Sequence, residues 1–316
     1  MPQSNEPAPI ALFAYQRTDH LRATVQSLLQ NPQASRSRLF VFSDGAKGEA
    51  DAAKVAAVRD YIAGVTGFAA IKIIASPRNK GLAASIIDGV SQVLQEFDRV
   101  IVMEDDLVVS KHFLAYMNDG LNCYAEDEKV ASIHGYIYPL DRPMPETFFL
   151  RGADCWGWAT WRRAWTHFNP DGRALLAELK ARKLTHAFDH EGTAFFNQML
   201  ADQIHGRNDS WAIRWHASCF LAEMFTLYPG RSLVDNIGND GSGTHSAAAD
   251  QDGKFAVALN PLPVSVRRIP VSETRQTRKA LAAYFRRRHK PNLYKTLRRL
   301  AGKFLRSALP PTNAGH

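Results

Sequence analysis

The chain has 316 residues, of which 45% are apolar and 22% charged, as in ordinary globular proteins with one large core or two fused ones. Its formal net charge of +8 is uneven: residues 274–316 carry twelve Lys or Arg and no acid, so the first 273 residues carry −4. A mildly acidic body repels phosphate backbones, which argues against a nucleic-acid-binding domain outside the basic tail.

The first residues and the cysteines indicate a compartment. The sequence "MPQSNEPAPIALFAYQR" lacks the basic and apolar regions of a signal peptide, and no run of about 18 apolar residues occurs. The three cysteines, Cys123, Cys155 and Cys219, have no metal-type spacing and are an odd number. They fit a reducing compartment better than a disulfide framework, so a cytoplasmic protein without a transmembrane helix is expected.

Apolar strands and amphipathic helices alternate through the first 110 residues. Strands are predicted at residues 9–15, 38–45, 70–76 and 99–106, with helices at residues 19–30, 49–61 and 81–97. Nearly continuous apolar strands separated by helices indicate an α/β fold with a mainly parallel sheet covered on both faces. Ligands bind such sheets at the carboxyl ends of the strands.

Three consecutive carboxylates, Glu104, Asp105 and Asp106, follow the fourth apolar strand. Adjacent like charges resist burial unless a positive charge compensates them, so the cluster predicts a divalent-cation site. The alternative is a solvated turn that caps a helix from about Ser110. Such a cation usually acts on a diphosphate. Asp106 is the expected metal ligand because it is the residue nearest the loop, and Glu104 and Asp105 are expected to orient ribose or sugar hydroxyls.

Other polar residues fall just past the predicted strands: Arg17, Asp44 and Asn79. Strand ends of a parallel sheet share one rim, so these side chains are expected beside the carboxylates and favour a ligand site over a turn. The alternatives are a helix cap or surface ion pair for Arg17 and a plain turn residue for Asp44, which precedes Gly45.

The middle of the chain is rich in aromatic residues. A strand is predicted at residues 130–138, and helices at residues 173–183, 191–205 and 208–223. In the segment 148–165, Trp156, Gly157 and Trp158 are predicted to form an acceptor or sugar pocket, because aromatic rings offer flat apolar faces. Trp161 and Trp165 are expected in the core.

A loop rich in Gly, Asn and Asp is predicted at residues 227–246, either as a mobile lid or as a surface excursion. It carries His245, whose imidazole is predicted to complete the metal shell once the substrate is bound. A surface histidine without a ligand role is the alternative.

The basic tail interleaves its charges with apolar residues. Leu293, Leu297, Leu300 and Phe304 recur at intervals of three and four, which is typical of an amphipathic helix. Residues 274–309 are therefore predicted to bind an anionic membrane, at the inner face of the cytoplasmic membrane. A terminal helix packed on the body is the alternative.

Two phosphate-binding signatures are absent. The pattern GxxxxGK[ST] does not occur, and "AYQRTDH" stands where a Rossmann glycine fingerprint would follow the first strand. This argues against P-loop hydrolases and nicotinamide enzymes. The same segment lacks the Gly-rich signature of a nucleotidyltransferase acting on sugar phosphates. That class remains an alternative function, as does a non-catalytic nucleic-acid binder that uses the basic tail.

The order of motifs resembles a GT-A-fold, nucleotide-sugar glycosyltransferase. The motifs are "PIALFAYQR", "FSDG", "SPRNKGLAASI", "VIVMEDDLVVS", "WGWATWRRAW" and "NDSWAIRW", and they span roughly residues 9–246. They are similar to bacterial proteins of the glycosyltransferase family 2-like group. They also resemble the N-acetylglucosaminyltransferase I family, whose metal motif is likewise Glu-Asp-Asp. The resemblance implies a Rossmann-like, mainly parallel sheet with helices on both faces, followed by the basic amphipathic tail.

The resemblance implies roles for individual residues. Arg17 and Asp44 would contact the nucleotide base or ribose, with Asn79 in the same nucleotide-sugar site. Asp106 would ligate Mn²⁺ or Mg²⁺, and Glu104 and Asp105 would lie around the ribose and donor sugar.

The base is implied at Asp209, although the N-acetylglucosaminyltransferase I family has two adjacent Asp before the Trp and this chain has Ser210. Asp189 and Glu191 are the alternative bases. For Asp209 itself the alternative is an N-cap of the helix that begins at "WAIRW", without a catalytic role. His245 has no counterpart in that family, though other GT-A enzymes use a late histidine as a metal ligand.

The implied reaction is inverting transfer of a hexosyl or N-acetylhexosaminyl group to a hydroxyl. A UDP-sugar is the favoured donor, and a glycan or lipid-linked acceptor in polysaccharide or lipopolysaccharide synthesis is expected. Residues 1–125 would form the nucleotide-sugar half, residues 126–273 the acceptor-binding and catalytic half, and residues 274–316 the tail.

Overall fold

The computed structural model describes residues 6–240 and 255–288 of the chain. The first part alternates strands and helices as predicted, and every predicted end lies within two residues of the observed one. Its elements are β1 (Ile10–Ala14), α1 (Thr18–Leu29), β2 (Arg38–Ser43), α2 (Glu49–Ala63), β3 (Ala70–Ala75), α3 (Leu82–Glu96) and β4 (Arg99–Glu104).

The second part mixes short strands and helices. Its strands are β5 (Leu107–Val109), β6 (Val130–His134), β7 (Thr147–Arg151), β8 (Trp158–Trp161), β9 (Phe225–Pro229) and β10 (Val234–Asn236). Its helices are α4 (Phe113–Cys123), α5 (Arg162–Trp165), α6 (Gly172–Ala181), α7 (Thr185–Phe188), α8 (Phe196–Ile204), α9 (Trp211–Leu221) and α10 (Arg275–Arg288). Short 3₁₀ turns occur at Ala34–Arg36 and Ile237–Asn239.

Eight strands form one central sheet in the order β3-β2-β1-β4-β8-β6-β9-β7. The strands β1 to β4 are parallel, β8 enters antiparallel beside β4, and β7 closes the far edge antiparallel to β9. Six of the eight strands therefore run in one direction, because β6 is antiparallel to β8 and parallel to β9. The predicted mainly parallel α/β sheet is confirmed.

The two predicted halves contribute to this one sheet. Strand β8 from the second half pairs with β4 from the first, with Trp158 opposite Val102 and Trp161 opposite Arg99. The central strands are buried on both faces, which is why β1 and β4 read as unbroken apolar runs.

A second, two-stranded sheet was not predicted. Strand β5 pairs antiparallel with β10, so that Val109 lies opposite Val234 and Leu107 opposite Asn236. The prediction of a single loop over residues 227–246 is wrong in its first part, which holds the end of β9 and all of β10. This pairing brings the 3₁₀ turn after β10 onto the segment that carries Asp106, where the Ile237 amide donates to the Asp106 carbonyl at 2.9 Å.

Four tryptophans, one of them in β8, pack together: Trp158, Trp165, Trp211 and Trp215. The Trp158 side chain is fully buried and stacks on Trp211 at a centroid distance of 5.4 Å. The prediction that Trp158 lines a ligand pocket is therefore wrong. Because β8 is a central strand, its side chains are covered on both faces of the sheet. Trp161 and Trp165 lie in the core, as predicted.

Helix α10, the described part of the basic tail, packs on the body beside β7. Its buried side chains Leu281, Tyr284 and Phe285 contact a cluster that includes Phe148 and Tyr228. For this segment the alternative of a packed terminal helix is correct. The apolar residues on which the membrane prediction rests, Leu293, Leu297, Leu300 and Phe304, lie outside the described residues. None of the described helices has the length and apolar character needed to cross a bilayer.

The half-buried His190 lies against α10, and the buried His216 lies behind it. His190 stacks on Phe285 at 5.4 Å with an interplanar angle of 16°, and His216 lies 6.3 Å from His190 between ring centroids. Burial, with His216 as a second cause, lowers the pKa of His190 from 6.5 to about 3. Burial likewise lowers the pKa of His216. Both imidazoles are therefore neutral in the folded chain near neutral pH.

We expect this histidine pair to make the fold acid-sensitive. Since the unfolded chain binds protons near pH 6.5 and the fold does not, the free energy of unfolding should fall as pH drops below 6.5. His190→Asn, which tolerates the positive φ of 46°, should reduce that loss between pH 7 and 5 by about 2 kcal/mol. Urea denaturation at both pH values measures it. The exposed His186→Asn is the control, and equal pH slopes for the two variants would contradict the expectation.

Candidate functional site

The candidate site lies at the carboxyl ends of β1, β2 and β4, which the sheet register brings level. Phe13 lies opposite Glu104, and Ala14 lies opposite Ser43. The next residues along each strand therefore meet at one rim. Arg17, Asp44 and the acidic triplet (Glu104, Asp105 and Asp106) share this rim, as the sequence predicted.

Arg17 is the counter-ion of the acidic triplet. Its Nη2 donates to Asp105 Oδ1 and to Asp106 Oδ2, both at 2.7 Å. Asp105 is 5% exposed, and its Oδ2 accepts the Tyr15 amide at 3.2 Å. The Arg17 side chain makes no helix-capping bond, so the predicted alternative of a cap is wrong. A buried positive charge is what three adjacent carboxylates at a strand end require.

Burial and mutual repulsion define the electrostatics of the triplet. Burial raises the pKa of Glu104 well above its usual value, and the charges of Asp106 and Asp105 raise it further. Burial also raises the pKa of Asp105, although Arg17 opposes that shift. For Arg17, burial acts to lower the pKa, but the two aspartates outweigh it and raise the value. The cluster therefore holds excess negative charge that one arginine offsets only in part.

Of the two aspartates in the triplet, Asp106 has an oxygen free for a ligand. Arg17 binds its Oδ2, and no donor among the described residues reaches its Oδ1. Gly238, in the 3₁₀ turn after β10, approaches so closely that a Cβ there would overlap the Asp106 carboxylate. Any larger residue there would displace that carboxylate. Sequence reasoning missed Gly238, and its only signal was a glycine within "DNIGND".

The donor set fits a cation shared with a substrate. Within residues 6–240 and 255–288, no three His, Cys, Asp or Glu side chains converge to hold a metal ion by themselves. Mg²⁺ and similar hard cations, however, are often bound by one or two carboxylates plus substrate phosphates and water. Asp106 Oδ1 and the Glu104 carboxylate, which accepts no recorded hydrogen bond, supply such ligands. His245, the predicted late ligand, lies outside the described residues.

Asp44 fastens the β3–α3 loop to the end of β2. Its carboxylate accepts the Gly45, Lys80 and Gly81 amides at 2.8, 2.9 and 3.0 Å and the Asn79 side chain at 3.1 Å. These four donors occupy the acceptor sites of the Asp44 carboxylate. Asp44 and Asn79 therefore contribute to this rim by holding the backbone of the β3–α3 loop in place. A small pocket of about 50 Å³ adjoins Asp44 between β2, β3 and α3.

Asp209 lies near the same loop and does not cap α9. Ser210 is the N-cap and accepts the Ile213 amide at 3.2 Å, so the alternative of Asp209 as helix cap is wrong. The Asp209 side chain is 66% exposed, and its Oδ1 lies 3.5 Å from Arg214 Nη2. Its Oδ2 lies 3.9 Å from where a Cβ on Gly81 would stand. The carboxylate is thus accessible and faces the loop that Asp44 holds.

The two alternative bases lie in other surroundings. Asp189 Oδ1 accepts the Asn197 amide at 2.8 Å and so supports the first turn of α8. Glu191, at a positive φ of 60°, lies 3.8 Å from Arg278 of α10. Among the described residues, neither Asp189 nor Glu191 contacts the β3–α3 loop, whereas Asp209 approaches Gly81 of that loop.

An aromatic wall stands beside the triplet. The Trp156 ring is half-buried and meets Tyr136 at 4.8 Å and Phe255 at 5.3 Å. Gly157 adopts a positive φ of 62°, and its carbonyl accepts the Gly135 amide at 2.7 Å. Burial raises the pKa of Cys155, and so do Asp154, Glu104 and Asp106. The segment before β8 is therefore electrostatically coupled to the triplet.

We expect Arg17→Ala to cost the fold about 3–5 kcal/mol at neutral pH, because it leaves buried carboxylates without a counter-ion. The pKa values of Glu104 and Asp105, already raised, should rise further, so the folded chain gains protons more readily than the unfolded chain. The difference in free energy of unfolding between the wild type and Arg17→Ala should therefore become smaller as pH falls toward 4.5. Chemical denaturation at several pH values tests this. The exposed Arg22→Ala on the same helix is the control, and a pH-independent deficit would contradict the expectation.

Residues 1–138 match the model of the GNT-I family. This segment holds β1 to β4 with Arg17, Asp44, Asn79 and the triplet, and it is less than half of the chain. The first 138 residues of the chain are therefore similar to the GNT-I family. The resemblance that the motif order predicted is thereby confirmed.

Two solved structures are similar to parts of the chain. One is the mannosyltransferase PcManGT from Pyrobaculum calidifontis in complex with GDP-Man and Mn²⁺, with 13% identity and a TM-score of 0.32 over 44% of this chain and 37% of its own. The other is TarS from S. aureus, with 13% identity and a TM-score of 0.29 over 44% of this chain and 23% of its own. The chain thus spans well under two thirds of either protein. At this level of identity, the ligands of these two proteins are not assigned to this chain. No curated relative matches the chain.

Proposed function

We propose that the protein is a metal-dependent, inverting glycosyltransferase that moves a sugar from a nucleotide-diphosphate donor to a hydroxyl acceptor. The observation that carries the proposal is the acidic triplet, held by Arg17 at the ends of parallel strands, within the segment that matches the GNT-I family. Excess negative charge at such a rim, with one carboxylate oxygen free, is suited to a cation that a diphosphate shares.

The residues around the donor would have distinct tasks. Asp106 Oδ1 would hold Mn²⁺ or Mg²⁺ together with oxygens of the donor, and His245 is proposed as a further ligand. The bound cation neutralises negative charge on the departing diphosphate. Glu104 would hold ribose or sugar hydroxyls, while Asp105 positions Arg17. The Arg17 Nη1, buried without a hydrogen-bond partner among the described residues, is suited to donate to a phosphate oxygen.

The acceptor side would be formed by Asp209 and the aromatic wall. Asp209 would accept the proton of the attacking hydroxyl as the new bond forms, which is the work of a general base. Its exposed carboxylate beside the β3–α3 loop supports this role. Trp156 and Tyr136 would stack against a sugar ring of the acceptor.

The biological setting belongs to the same proposal. A UDP-sugar is the favoured donor, and a glycan or lipid-linked acceptor in polysaccharide or lipopolysaccharide synthesis is the favoured partner. The basic residues of the tail support a position at the inner face of the cytoplasmic membrane, because each Lys or Arg near an anionic surface contributes about 1 kcal/mol.

Slow donor hydrolysis tests the proposal. The purified protein is incubated with a panel of radiolabelled nucleotide sugars, with Mn²⁺ or with EDTA, and released sugar is measured. We expect hydrolysis of one donor, favouring a UDP-sugar, in Mn²⁺ alone. Hydrolysis of none of the donors, or equal hydrolysis in EDTA, would contradict metal-dependent transfer. Formation of a nucleotide sugar from a nucleoside triphosphate and a sugar phosphate would instead identify a nucleotidyltransferase.

A further inference from the structure

A groove with a volume of about 540 Å³ runs along the outer face of α10, far along the chain from the triplet. Five cationic side chains and one acid line it: Arg142, Arg275, Arg278, Lys279, Arg286 and Glu191. Its volume lies within the range of small-molecule sites in proteins. The proposed transfer reaction makes no use of this groove.

Helical spacing explains both the charge and the concave shape. Arg275, Lys279 and Arg286 lie at i, i+4 and i+11, which places them on one face of α10. Ala282 and Ala283 lie between these long side chains and leave the hollow. The opposite face buries Leu281 and Phe285 against the body, so the helix presents its cations from a fixed position.

Four of the five cations in the groove have no counter-ion among the described residues. Arg278 lies 3.8 Å from Glu191 and 4.0 Å from Glu273, whereas Arg142, Arg275, Lys279 and Arg286 form no ion pair there. Outside the groove the same helix compensates its charges, since Arg287 contacts Asp141 and Arg288 lies over the Phe255 ring at 3.3 Å. Like charges four residues apart destabilise a helix, so Arg275 and Lys279 repel each other unless an anion binds between them.

We propose that this groove binds the phosphate groups of a phosphorylated ligand, either a soluble diphosphate or a phosphomonoester headgroup on a lipid. Arginine forks match phosphate oxygens in bidentate geometry, and lysine adds a point charge. The groove can hold more than one phosphate. Because binding here needs no metal, it is distinct from the acidic triplet, which repels anions in the absence of a cation.

Calorimetric titration with inorganic pyrophosphate in EDTA tests the groove itself. The full-length chain should bind pyrophosphate, and R275Q/K279Q/R286Q should bind on the order of 100-fold more weakly, at about fivefold for each cation lost. Arg142→Gln, on the facing loop, should also weaken binding without altering α10. The control K54Q/K72Q removes two exposed cations near the opposite edge of the sheet and should bind as wild type.

Co-sedimentation with vesicles distinguishes the two sources of phosphate. Phosphatidylcholine vesicles with phosphatidic acid are compared with vesicles that carry the same fraction of phosphatidylglycerol. Preference for phosphatidic acid, reversed by pyrophosphate and lost in the groove variants, indicates a lipid headgroup; pyrophosphate binding without sedimentation indicates a soluble ligand. Absence of pyrophosphate binding by the wild-type chain, or equal binding by the groove variants and K54Q/K72Q, would overturn the proposal.

Discussion

Replacing Asp106 by alanine is expected to abolish metal-dependent binding of the nucleotide diphosphate while the chain still folds. Asp106 carries the one triplet oxygen of an aspartate that Arg17 and the backbone leave free. A cation contributes several kcal/mol of charge stabilisation in such reactions, so donor hydrolysis should fall at least about 1000-fold. Equilibrium dialysis with a radiolabelled nucleotide diphosphate and Mn²⁺ measures the binding.

Folding of the variant separates this effect from general damage. Arg17 retains Asp105 as its partner, and removal of one of three repelling carboxylates should leave the melting temperature unchanged or higher. Asp98→Ala is the matched control. Asp98 directly precedes β4, its carboxylate is 86% exposed, and it pairs with Arg162. Retained metal-dependent binding by a folded Asp106→Ala chain would refute the assigned metal ligand.

Asp209→Asn is expected to keep donor binding and to lower the rate of transfer by about 100- to 10,000-fold. The amide preserves the shape of the side chain but cannot accept the proton of the acceptor hydroxyl. Because Asp209 is exposed and Ser210 caps α9, the fold should not change. Initial rates with a defined acceptor, measured beside donor affinity, give the result.

The alternative bases supply the controls for that variant. Asp189→Asn weakens the hydrogen bond that the Asn197 amide donates to this side chain. It should therefore lower the stability of the fold and have little effect on the rate of transfer. Glu191→Gln removes a partner of Arg278 and should leave the rate unchanged. A near wild-type rate for Asp209→Asn, together with a large loss in either of these variants, would reassign the base.

The first half of the sheet is predictable from sequence because its pattern is local. Strands β1, β2 and β4 hold continuous apolar stretches, helices separate the first four strands, and parallel strand ends meet at one rim. The meeting of Arg17 with Asp105 and Asp106 follows from that rule and from the cost of burying like charges. The predicted association of these side chains is therefore a consequence of topology and electrostatics.

Other features depend on contacts between distant segments. Strand β10 has three residues and forms only because β5, over 120 positions earlier, offers it an edge. Gly238 is likewise not marked by its sequence neighbours, because its role depends on contact with Asp106 of a distant segment. Trp158 has the aromatic character of a pocket residue, but its place in a central strand buries it, which its own sequence neighbourhood does not reveal.

Helix α10 shows how one pattern is compatible with two environments. Its apolar face suits a membrane as well as a protein surface, and only the cluster around Phe148 and Tyr228 decides for residues 275–288. Likewise, Asp209 in "NDSW" is of a residue type that often caps helices. The backbone geometry selects Ser210 and leaves Asp209 at the surface.

Calorimetric titration of the wild-type chain with UDP and GDP, in Mn²⁺ and in EDTA, tests the central claim most directly. The claim is that the strand-end carboxylates bind a nucleotide diphosphate through a shared divalent cation. We predict saturable binding of at least one nucleotide in Mn²⁺, with UDP favoured, and affinity at least about tenfold weaker in EDTA because the triplet then repels the diphosphate. Equal affinity in Mn²⁺ and EDTA, or no binding in either, would contradict it.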